Sequence, residues 1–175
     1  MADRRIIATT VSEIVNYWKR NSQTHTPNVD FYDAHERCWR CSYKTKLQKC
    51  HIVPHSLGGS DSPQNLVLLC RLCHEEGPNV IDSEIFWDWI NAHNIEFYDA
   101  YWTRRGMSEY EYIYKKSLEE DLVELGITEP EQVSERFKRM LKKATWHWGH
   151  PRMNPATYAG IMRMVIKELQ KEQAH

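Results

Sequence analysis

The chain has 175 residues, 41% of them hydrophobic and 27% charged, and a formal net charge of −1. That is enough chain to bury a core, as one domain or one and a half, and its composition is that of a globular protein. No apolar run approaches the ~18 residues of a transmembrane helix, so no membrane partner is expected. The opening residues MADRRIIATT contain no apolar core of a secretory signal, which points to a reducing, cytoplasmic setting. The neutral total hides an uneven distribution. Residues 1–80 carry 10 Lys/Arg against 8 Asp/Glu, residues 81–130 carry 4 against 12, and residues 131–175 carry 9 against 4. An acidic stretch is thus followed by a basic one.

Along the chain, Thr10 and Glu13 form a capping-box pattern, and Val11, Ile14, Val15 and Trp18 make an apolar stripe, which predicts a helix over 11–21. Residues 22–37 read as a polar connector. Lys46–Val53 and Asn65–Leu69 read as two antiparallel strands across the turn-rich loop HSLGGSDSPQ. Gly77-Pro78 ends whatever helix begins near Cys70. Further helices are predicted over 83–93, over 108–125 with Ser108 and Glu111 as capping box and Gly126 at the end, over 130–145, and over 155–172 with Asn154 as cap. The expected fold is α+β, a small hairpin set among about five helices. Residues 1–37 would form an N-terminal helix and connector, 38–93 the core, and 94–175 a separate helical region.

Four of the five cysteines stand as two Cys-x-x-Cys pairs, Cys38/Cys41 and Cys70/Cys73. Each short turn brings two thiolates to one tetrahedral ion, so this pair-gap-pair spacing predicts a structural Zn²⁺. The intervening chain must leave and return, as a hairpin does, and the ion staples a segment whose own core is small.

Between the pairs lie His51-Ile-Val-Pro, Gly58-Gly59, Asn65-Leu and, at the end, Leu-Cys70-x-x-Cys73-His74. In order and spacing these residues resemble the HNH endonucleases, the ββα-metal nucleases, over roughly residues 38–80. The resemblance implies a zinc-braced ββα-metal core and a metal-dependent DNA endonuclease. By position it makes His51 the general base, Asn65 the residue that holds the loop and orients His51, and His74 a ligand of a catalytic divalent ion, Mg²⁺ or Mn²⁺, or else Ni²⁺ or Zn²⁺. These roles suit phosphodiester hydrolysis, which needs a deprotonated water, neutralised phosphate charge and a stabilised leaving oxygen.

One position departs from the family pattern. The residue before the base histidine is often a hard metal ligand, and here it is Cys50. Three readings stand: Cys50 ligates a softer ion; Cys50 is inert and the ion is held by His74 with a neighbour such as Asn79, His55 or Asp61; or the site is degenerate. Strand alternation puts Cys50 and His51 on opposite faces unless a bulge intervenes.

Phosphate grip requires clustered cations. Lys44, Lys46 and Lys49 lie on the first arm of the hairpin, and Arg71 sits inside the second cysteine knuckle. A larger cluster, with Arg136, Arg139 and Lys143, occupies the predicted 130–145 helix, followed by Trp146, Trp148 and His150. The expected partner is DNA, as a duplex, with a homodimer as one way to cut both strands. The competing reading is a non-catalytic zinc-knuckle module that binds nucleic acid. A restriction or phage role fits the size of the chain.

Overall fold

A computed structural model describes residues 6–93, 97–145 and 152–174. The chain divides into two compact units, residues 1–99 and 100–175.

In the first unit, α1 (Val11–Arg20) begins at the predicted capping box. The Glu13 amide donates to Thr10 Oγ1, and the Thr10 amide donates to the Glu13 carboxylate at 2.6 Å. Its stripe of Ile14, Val15 and Trp18 is buried, and Trp18 Nε1 donates to the Leu66 carbonyl at 2.8 Å. β1 (Leu47–His51) and β2 (Leu66–Cys70) pair antiparallel, with Leu47 opposite Cys70 and His51 opposite Leu66. All five residues of β2 are buried, so this strand is the spine of the unit. α2 (Arg71–Glu76) follows it directly and stops at Gly77, while α3 (Ser83–Asn91) buries Phe86, Trp87 and Ile90. Strand, strand and short helix thus follow one another as a ββα unit, and the α+β expectation holds.

Two contacts seat the first cysteine knuckle on this core. The Trp39 amide donates to the Leu68 carbonyl at 2.9 Å, and Trp39 Nε1 donates to the Ala34 carbonyl at 2.9 Å. The neighbouring Arg40 is almost fully buried. Its guanidinium lies 3.8 Å over the Trp89 ring and donates to Glu76 at 2.7 Å, the arrangement that lets a buried cation keep both a π face and a carboxylate.

The second unit is helical: α4 (Tyr101–Tyr114), α5 (Leu118–Glu124), α6 (Pro130–Leu141) and α7 (Pro155–Gln173). α7 is capped by Asn154, whose side chain accepts from the Thr157 amide at 2.8 Å. Its buried face of Ala159, Ile161, Met162, Val165, Ile166 and Leu169 packs on the other helices.

The predicted 108–125 helix is corrected to two helices. α4 starts seven residues earlier than expected and ends where Lys115 takes a left-handed φ of 56°. Ser108 lies inside it, with its hydroxyl donating back to the Arg104 carbonyl at 3.3 Å. The working capping box is Ser117 with Glu120, and α5 closes at Gly126 (φ 64°), the Ile127 amide reaching the Leu122 carbonyl at 3.0 Å. The cause is tertiary. Gly106 lies so close to α7 that a Cβ there would come within 2.4 Å of Tyr158 Cβ, which commits the segment before Ser108 to a helix packed on α7. With this split and α2, the described residues hold seven α-helices rather than about five.

Candidate functional site

The four cysteines Cys38, Cys41, Cys70 and Cys73 converge. Their Sγ atoms all lie within 4.8 Å of one another, all four residues are buried, and Cys41 Sγ is 3.9 Å from Cys70 Sγ. A tetrahedron of Zn–S bonds has edges of about 3.8 Å, so the cluster fits a metal ion. Local chemistry builds each corner. Ser42 takes a left-handed φ of 60°, so the chain after Cys41 turns back, with the Ser42 amide donating to the Cys38 carbonyl at 2.8 Å and the Cys38 amide to the Tyr43 carbonyl at 3.0 Å. Cys70 is the N-cap of α2 and its sulfur accepts from the Cys73 amide at 3.4 Å. Hydrogen bonds from Cys38, Cys41 and Cys73 lower the Cys70 pKa, whereas bonds within the same cluster raise Cys41 and Cys73. Thiols this close do not all ionise unless a cation sits among them.

Beside this cluster a cleft of about 120 Å³ is lined by Cys50, His51, Pro54, His55, His74, Gly77, Pro78, Asn79 and Phe86. His51 ends β1 and His74 stands in α2, so the hairpin and its following helix bring them together from 23 positions apart. His74 Nδ1 is 2.7 Å from Gln48 Oε1. A carbonyl oxygen only accepts, so Nδ1 carries the proton and Nε2 keeps its lone pair. Burial, and then the nearby imidazole of His51, lower the His74 pKa and favour that neutral ring.

The Asn65 side chain ties the loop: Val53 N–H donates to its Oδ1, and its Nδ2 donates to the carbonyls of Val53 and Ser60, each at 2.9 Å. Gly58 supports the same turn with a φ of 90°, and a Cβ on Gly59 would sit 1.8 Å from the Val53 carbonyl. The partner that His51 does have is Asp61, whose Oδ1 lies 2.8 Å from His51 Nε2. The sequence offered Asp61 only as one neighbour of the ion. The signal that it meets His51 lies in the closed loop between them.

Cys50 is 4% exposed and still borders the cleft next to His51, against the alternation expected of a strand. A two-stranded ribbon twists strongly, which lets adjacent residues at its end face one small hollow. Burial, with a smaller contribution from Cys38, pushes the Cys50 thiol up to about 12, and its Sγ lies 3.5 Å from the His51 carbonyl.

The cationic candidates are mostly engaged. Lys44 pairs with Glu36 at 2.7 Å, Arg71 with Glu75 at 2.7 Å, and Lys49 donates to the Ile7 carbonyl at 2.9 Å, while Lys46 is exposed. In the second unit, Arg136 pairs with Glu172 at 2.7 Å, Arg139 pairs with Glu168, and Lys143 is exposed. Trp146, Trp148 and His150 lie outside the described residues.

A family model described as HNH endonuclease matches residues 36–77. Anaredoxin of Nostoc sp. (strain PCC 7120 / SAG 25.82 / UTEX 2576) is 34% identical over 58 residues, which span 33% of this chain and 72% of that protein. The chain belongs to the HNH endonuclease family. The matched segment contains both cysteine pairs, His51, Asn65 and His74, so the HNH hairpin expected from the sequence is the one observed, with four cysteines placed to hold a metal ion. This is a nuclease family, and a nucleic-acid partner goes with it. No solved structure matches the HNH chain. Among its described residues no helix is long and apolar enough to cross a membrane.

Proposed function

We propose that this HNH protein is a metal-dependent endonuclease that hydrolyses phosphodiester bonds of duplex DNA. The observation that carries the reading is the shared cleft: His51 and His74 line one hollow, each with one ring nitrogen held by a neighbouring side chain and the other left for chemistry.

In this reading His51 takes the proton from the attacking water. His74 offers Nε2 to a divalent ion, Mg²⁺ or Mn²⁺, with Asn79 and His55 as further donors on the cleft wall. That ion, when bound, neutralises phosphate charge and stabilises the leaving oxygen. Asn65 keeps the loop closed, and so holds the cleft's shape. Cys38, Cys41, Cys70 and Cys73 hold a structural Zn²⁺. Cys50 stays a neutral buried thiol, which makes it a packing residue and a poor ligand for a hard ion. Phosphate contact falls to the exposed Lys46 just before β1, and Lys143 is a candidate in the helical unit. A restriction or phage-borne role, and a dimer that cuts both strands, are the biological form this chemistry suits.

The test is cleavage of supercoiled plasmid in Mg²⁺ or Mn²⁺ by wild type beside His51→Ala and His74→Ala. Cleavage by wild type and its loss in both variants is expected. Binding without cleavage by wild type in every ion would transfer the protein to the non-catalytic zinc-knuckle reading.

A further inference from the structure

We propose that Asp61 is a positioning residue for His51: its carboxylate fixes the imidazole ring and its tautomer, so that Nδ1 is the atom that takes the proton. The inference rests on the nuclease reading and adds to it which nitrogen reacts and what holds it.

The geometry is specific. Asp61 Oδ1 lies 2.8 Å from His51 Nε2, and the two side chains are only 22% and 20% exposed. An ionised carboxylate has lone pairs and no proton to give, so Nε2 carries the N–H that meets it, and in the neutral ring the lone pair is on Nδ1. A histidine held in this way by a half-buried acid is oriented before substrate arrives, which removes ring rotation from the reaction.

Asp61 is itself held from two sides. On one side, the loop between the strands is closed by Asn65 and by the turn at Gly58 and Gly59, which folds Asp61 back onto a residue ten positions earlier. On the other, the segment before α1 reaches the loop. Thr9 Oγ1 donates to the Asp61 carbonyl at 2.5 Å, and Lys49 Nζ donates to the Ile7 carbonyl at 2.9 Å. Two long-range bonds therefore tie residues 7–9 to both the Asp61 loop and β1. A plain surface aspartate needs neither. The same carboxylate is a hard oxygen donor beside a metal-dependent site, so the competing role is metal ligand, and the experiment separates the two.

Wild type, His51→Ala, Asp61→Ala, Asp61→Glu and Thr9→Val are compared on supercoiled plasmid with Mg²⁺ titrated, beside ¹⁵N NMR of the His51 ring in the zinc-loaded protein. If wild type fails to cleave, or His51→Ala cleaves as well as wild type, the nuclease reading itself fails and the ring spectrum alone decides the Asp61–His51 pairing. Otherwise Asp61→Ala is expected to lower kcat by about 10- to 100-fold, the usual range for a partner behind a site histidine, with KM and half-saturating Mg²⁺ unchanged. Asp61→Glu recovers part of that loss, and Thr9→Val shows a smaller fall of the same kind. The NMR spectrum of wild type shows Nε2 protonated. A wild-type kcat in Asp61→Ala, a loss that appears as raised half-saturating Mg²⁺, or an Nδ1-protonated His51 would each overturn the proposal.

Discussion

Asn65→Ala tests how the cleft is held. The substitution removes three hydrogen bonds of 2.9 Å, one accepted from the Val53 amide and two donated to the carbonyls of Val53 and Ser60. At a net ~1 kcal/mol each, their loss lowers the free energy of opening this loop by about 3 kcal/mol, or roughly a hundredfold in the opening equilibrium. The Gly59 amide is the reporter of choice. It donates to the Pro54 carbonyl at 3.1 Å, so it loses no partner in the variant and exchanges only when the loop opens. Hydrogen exchange by NMR should show its protection falling about a hundredfold, with amides of β2 little changed. Cleavage should fall at least tenfold in parallel, because His51 and Asp61 meet only across the closed loop. Unchanged exchange at Gly59 would refute this account of Asn65, and unchanged exchange with lost cleavage would assign Asn65 a direct role in the chemistry.

Cys41→Ser should remove the bound zinc and lower the melting temperature of the first unit by about 10 °C or more, since metal affinity is folding free energy in such sites; metal analysis and calorimetry check both. Cys50→Ala should keep Mg²⁺-dependent cleavage within about threefold of wild type, because burial holds that thiol neutral, and a tenfold loss confined to one ion would make it a ligand after all. In the second unit, Tyr110 donates to the buried Asp121 carboxylate, which Lys116 and Arg163 also meet at 3.1 and 3.2 Å. Desolvation, then the bond to Asp121, pushes the Tyr110 hydroxyl up to about 12. Its folded pKa is raised, so the stability it contributes is present below the unfolded value of 10.0 and is lost as pH rises from there through about 12. Tyr110→Phe should cost about 2 kcal/mol at neutral pH by leaving a charged acceptor short of a donor, and should flatten that alkaline loss in urea titrations.

Signals carried by a few neighbouring residues were legible in the chain itself. The Thr10/Glu13 and Asn154 caps, the two cysteine pairs and the order of His51, Asn65 and His74 each depend on short-range geometry, so sequence spacing determines them. The hairpin followed as well, because two cysteine pairs meeting at one point require the chain between them to double back.

Elsewhere two local patterns were equally good and packing chose between them. Ser108/Glu111 and Ser117/Glu120 are the same capping signal, and only the close approach of Gly106 to Tyr158 made the second the true helix start. Arg136 and Arg139 read as open cations until α7 placed Glu172 and Glu168 against them. His51 and Asp61 stand ten residues apart in a loop with no regular period. Whether they meet depends on Asn65 bonding both Val53 and Ser60 and on Thr9 reaching over from another segment. The sequence alone thus determined which cysteines and histidines fall within the HNH segment, because their spacing is covalent. The tertiary structure decided which nitrogen of each histidine meets a neighbouring side chain, because that depends on hydrogen-bond partners brought in by the fold.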